Sequence, residues 1–144
     1  MAAHEHINKD QSGKYVRLHR GFSGMHHDEV DTNSLGVHWV DDLHAHWADK
    51  FATDRMGEEH HGQSYPEYEK GTVLTGLVHK RHIMEPGSEE HEEWSNVGDG
   101  AVDYENETPL RPGTPVHFIG ATDFNLDSNN DSDRKFTPRI RGRA

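Results

Sequence analysis

The chain has 144 residues, 31% of them apolar, with no cysteine and a formal net charge of -11. That length supports one domain, and that composition only a modest core. The charge excludes non-specific binding of nucleic acid or of an anionic membrane by the body of the protein, and the missing cysteines exclude disulfides and zinc–thiolate sites. No apolar run approaches membrane-spanning length, and the N-terminal residues lack the apolar stretch of a signal peptide. A cytoplasmic location is expected, with a virion assembled in the cytoplasm as the alternative.

In chain order, residues 1–13 read as a mobile arm that ends at Gln11-Ser12-Gly13. Lys14 to His19 alternates as a strand does, with Val16 and Leu18 on one face. It runs into Arg20-Gly21-Phe22-Ser23-Gly24, where a planar, permanently charged guanidinium stands beside glycines that allow close backbone approach. The same pattern also fits a strand-ending turn with a surface arginine. Leu35-Gly36-Val37-His38-Trp39-Val40 reads as a second short strand, and Asp41 or Asp42 as the N-cap of a helix over 42–53. In that helix Leu43, Trp47 and Phe51 recur at i, i+4 and i+8, a spacing that predicts a core-facing stripe.

Residues 54–70 are polar and read as a long loop. Thr72 to His79 is the most strand-like run and is expected to be central. Ser88 to Trp94 predicts one or two turns of acidic helix. The apolar run Val116-His117-Phe118-Ile119 predicts a further strand, with order fading after Gly120. Charge is unevenly spread: nine acids and no Lys or Arg lie between Glu85 and Glu107, and five basic residues and no acid lie from Arg134 onward. The basic tail is the one part suited to a polyanionic partner, including nucleic acid.

Between these lies Tyr104-Glu105-Asn106-Glu107-Thr108-Pro109-Leu110-Arg111-Pro112-Gly113-Thr114. In extended backbone Glu105 and Glu107 share a face, where like charge disfavours joint ionisation. Such a pair suits acid/base work or stabilisation of a developing cation; a solvated acidic edge is the plainer alternative. The fourteen histidines raise the question of a metal, but His26-His27, His44-x-His46, His60-His61 and His79-x-x-His82 lack the spacing of a convergent ligand set. No metal site is expected.

Taken in order, three of these stretches resemble the ADP-ribosyltransferase fold superfamily, of the Arg-type with a Glu-x-Glu motif, in a phage or bacterial member. Leu18-His19-Arg20-Gly21 is similar to its first-strand motif. Leu35 to Val40 with the helix after it is similar to the wall of its nicotinamide pocket. Glu105-x-Glu107 with Leu110-Arg111-Pro112-Gly113-Thr114 is similar to its Glu-x-Glu stretch and the turn behind it. The resemblance implies an α+β domain of split mixed and antiparallel sheets over residues 14–120, followed by a polar and then basic tail over 121–144. It implies NAD as substrate and an unidentified protein as acceptor, or hydrolysis of NAD. Glu107 would face the ribose, Glu105 the acceptor, and Arg20 the ribose and phosphate. Gly21 would offer backbone groups to the nicotinamide amide and His38 or Trp39 would flank its ring, with Ser34 the candidate for the family's Ser-Thr-Ser strand. A non-catalytic structural or interaction protein, for example a phage particle component on the same fold, is the alternative function.

Overall fold

The structure, a computed structural model, describes residues 13–59, 61–63, 65, 68–85, 88–95, 107–126 and 142–144. Glu105, most of the N-terminal arm and most of the tail lie outside them. The described residues form an α+β fold: β1 (Tyr15–Ser23), β2 (Val40–Asp41), α1 (Ala45–Thr53), β3 (Lys70–His79), α2 (Glu89–Ser95), β4 (Pro115–Asn125) and β5 (Gly142–Arg143). The strands make one antiparallel sheet in the order β2-β1-β3-β4-β5. β3 is central, as its apolar run predicts. It pairs with β1 along its length, from Tyr15↔His79 to Ser23↔Gly71, and with β4 on its other side. Strands covered on both faces carry continuous apolar runs rather than strict alternation, and Thr72, Val73, Leu74 and Val78 are all buried.

Among the described residues the regular strands make one sheet rather than the expected split pair, because β3 bonds to both neighbours. Beside it lies a short irregular ladder of three segments. Thr108 donates its N–H to the Trp39 carbonyl (2.6 Å) and Leu110 to that of Val37 (2.9 Å), while Met84 donates to Pro109 (2.8 Å) and Arg111 to His82 (3.0 Å). Pro109 has no N–H to give, so the ladder is interrupted on the 82–84 side and stays short of regular strand. Leu35 to Trp39 therefore forms no regular strand, contrary to the expectation, yet its side chains alternate, with Leu35, Val37 and Trp39 buried. Leu35 and Trp39 join Leu18, Leu74, Val78, Leu110, Val116 and Phe118 in the main core, each large side chain contributing on the order of 1.5–3 kcal/mol.

The chain turns helical where expected but not as one α-helix: Asp41 caps a single 3-10 turn, Asp42–His44, accepting the N–H of His44 through Oδ1 at 3.1 Å, and α1 itself begins only at Ala45, with His44 as its N-cap. Its orientation corrects the expectation. Leu43 is 79% exposed, Trp47 37% and Phe51 38%, whereas Ala48 and Ala52 are buried. Two glycines explain this. A Cβ on Gly21 would stand 2.1 Å from the Ala48 carbonyl oxygen, and one on Gly71 2.0 Å from that of Ala52. The sheet thus brings α1 so close that only alanine fits between, and the larger side chains are turned outward. Trp47→Gln should accordingly change stability by no more than about 0.5–1 kcal/mol, and Ala48→Leu should cost about 1–3 kcal/mol or more. Urea unfolding of the two variants beside the wild type measures the contrast.

The boundary expected after residue 120 also falls elsewhere. β4 continues to Asn125, with a register shift opposite Thr75/Gly76 that leaves Ile119 as the extra residue. It continues because Ala121 and Asp123 are buried. At the far end of the chain Gly142 pairs with Val116, and Arg143 with Pro115.

Candidate active site

β1 places Arg20 on the core side, in step with Leu18 and Phe22. The guanidinium lies 5.0 Å from the centre of the Phe22 ring, and Nη1 donates to the backbone carbonyl of His38 at 2.7 Å. Gly36 makes room for it. The φ there is +85°, and a Cβ would come within 3.0 Å of the guanidinium, so both the turn and the space call for glycine. The carbonyl of Gly36 accepts the indole N–H of Trp39 at 2.9 Å.

His38 lies between Val37 and Trp39, whose side chains enter the core, so its ring turns the other way. There its Nδ1 meets Oε1 of Glu107 at 2.5 Å. The other carboxylate oxygen, Oε2, is bonded by Nε2 of His91 from α2. An ionised carboxylate only accepts, so each imidazole presents an N–H to it. The Glu107 and His91 side chains are both 0% exposed, and that of His38 is 15% exposed. Arg20, His38, Glu107 and His91 therefore form one chain of contacts across four separate stretches of sequence. Charge-assisted bonds in so enclosed a place are strong and fix side-chain orientation.

Of the residues expected at the site, Arg20, His38 and Glu107 come together. Trp39 adjoins them through its backbone, while its ring is fully buried in the core and offers no open face for stacking. Gly21 has α1 against its Cα, so its lack of a side chain serves helix packing. β2 pairs with β1 at Leu18 and His19, which leaves the β1 edge at Gly21 without a strand on that side among the described residues. Ser34 is exposed in a turn, its N–H bonded to the Asp31 carbonyl at 3.1 Å, and takes no part in these contacts. Glu105 lies outside the described residues. His91 was not expected here: a lone histidine in an acidic run carries no motif, and the only signal was its being the one non-acidic residue within Glu89 to Glu93.

Other histidines also pair with acids. His19 bonds Asp42 at 2.6 Å, His27 bonds Asp123 at 2.7 Å, and His44 bonds Asp41 at 2.8 Å. Arg17 grips Asp42 with Nη2 at 2.7 Å. The bonds from Arg17 first, and then from His19, hold the Asp42 carboxyl down to about 2, although its exposure keeps the stability involved small. Asp123 is buried, which by itself raises its pKa. The backbone N–H of His27, the His27 ring and Thr72 outweigh that and hold it below the usual 3.8. A carboxylate with a lowered folded-state pKa contributes stability above its unfolded pKa and loses it as pH falls through the folded value. Asp123→Asn should therefore be about 1–3 kcal/mol less stable than wild type at neutral pH. The gap should narrow as pH drops below 3.8, as followed by thermal unfolding across pH.

Among the described residues, no three of His, Asp or Glu are arranged to hold a metal ion, and no helix is long and apolar enough to cross a membrane. No protein-family model, curated protein or solved structure matches the chain.

Proposed function

We propose that the protein is an ADP-ribosyltransferase-like enzyme that cleaves the nicotinamide–ribose bond of NAD and passes ADP-ribose to a protein side chain or to water. One observation carries this reading: Arg20 and Glu107, distant in sequence, both contact His38, one through its carbonyl and the other through its ring. Loss of nicotinamide leaves an oxocarbenium-like ribose, and a fixed carboxylate is the group that stabilises such a charge. Glu107 takes that role, and Arg20, a permanent cation, holds ribose or phosphate oxygens. Glu105 acts on the acceptor, and Ser34 and Trp39 have no direct part. Incubation of the protein with labelled NAD and lysate, wild type beside Glu107→Gln, tests the reading. Label transfer should occur with the wild type and fall by about 100-fold or more in the variant. No label transfer and no nicotinamide release by the wild type would contradict it.

A second reading is favoured by a different observation. The Glu107 carboxylate is fully enclosed, with an imidazole on each oxygen, as in a structural tie. In that case the protein is a non-catalytic interaction component, of a phage particle for example, and Glu107→Gln alters stability alone.

A further inference from the structure

α2 is attached to the protein in an unusual way. Among its described side chains only one is buried, and that one is polar: His91 is enclosed, Glu90 half-buried, and Glu89, Glu92 and Glu93 exposed. Among the described residues, the helix has no broad contact with any of the five strands or with α1. Its side-chain ties include His91 to Glu107 and an exposed bond from Arg111 to Glu90 at 3.0 Å. Ser88 caps its start, Oγ accepting the N–H of His91 at 3.2 Å. A helix of seven residues is too short to persist without its docking contacts. Short peripheral elements of this kind open locally at low free energy while a core such as β3 stays closed.

With α2 docked, Glu107 has no exposed side-chain atom to offer a ligand. The helix also brings Glu89, Glu90, Glu92 and Glu93 to the site, and those charges repel an anionic ligand such as a pyrophosphate. We propose that α2 is a latch over Glu107. It lifts as a unit with the sheet intact, which exchanges the His91 bond for a ligand hydroxyl while His38 keeps Oε1 in place. This rests on the reading of Glu107 as the reacting carboxylate.

Native-state hydrogen exchange, together with carbodiimide–amine labelling of Glu107 mapped by mass spectrometry, tests the latch without using NAD. The α2 amides should exchange about 100-fold or more faster than those of β3, through an opening insensitive to low denaturant. Glu107 should label slowly in the wild type, several-fold faster in Arg111→Gln, which releases Glu90, and about ten-fold or more faster in His91→Ala. Exchange of α2 only together with β3, or equal labelling of Glu107 in all three proteins, overturns the latch. If His91→Ala does not fold, the wild-type exchange and the Arg111→Gln labelling still decide. Independent opening without NAD turnover removes the transferase reading and keeps the latch. Turnover with α2 opening only globally does the reverse.

Discussion

Alanine at Gly71 should cost at least about 3 kcal/mol, the upper part of the range for an overpacked core. The new Cβ would lie 2.0 Å from the Ala52 carbonyl oxygen and 2.8 Å from its carbon. Both are helix backbone, which has no rotamer to change, so α1 must retreat from the sheet and uncover Ala48, Ala52, Val40 and Val73 together. Gly21→Ala meets the Ala48 carbonyl at 2.1 Å and should act in the same way. Because either change displaces the same helix, the double variant should lose less than the sum of the two. Denaturant unfolding of the two single variants and the double one measures this. A loss below 1 kcal/mol for Gly71→Ala would mean that α1 is not seated as described.

The second large effect is expected at Glu107. Truncation to alanine leaves the rings of His38 and His91 facing a cavity where a buried carboxylate had bonded both. Leaving the two imidazoles without their shared acceptor costs about 1–3 kcal/mol for each, which for a chain of this size lowers Tm by roughly 10 °C. Glu107→Gln keeps the volume and one acceptor oxygen, so its loss should be about half as large. Thermal unfolding of both variants at neutral pH provides the comparison. A smaller effect for alanine than for glutamine would contradict the buried bonding.

These two sites mark where sequence could and could not inform structure. Alternation over Leu35, Val37 and Trp39 reports burial because side chains of extended backbone alternate whether or not the strand is regular; what it does not report is that Pro109 keeps the pairing irregular. The position of α1 is legible from Asp41 and the following periodicity. Its facing is not, because the cause lies in Gly21 and Gly71, on two strands remote from the helix in sequence. Arg20 and Glu107 are legible as candidates from local patterns, an arginine beside a glycine and an acid before a Pro-Gly turn, although β1 runs past Arg20 to Ser23 instead of ending there; His38 is reached only through the family resemblance. The closing of the group by His91 is a tertiary event with no spacing to announce it. The acid–histidine pairs at Asp42, Asp123 and Asp41 are of the same kind: composition shows many histidines and many acids, and only the fold decides which meet.

The proposed joint action of Arg20 and Glu107 on the ribose–nicotinamide bond is tested by the release of free nicotinamide from NAD by the purified protein. The wild type should release nicotinamide steadily, with a fall of about 100-fold or more in both Glu107→Gln and Arg20→Gln while the variants remain folded. Release at the wild-type rate by either folded variant, or none by the wild type, would contradict it.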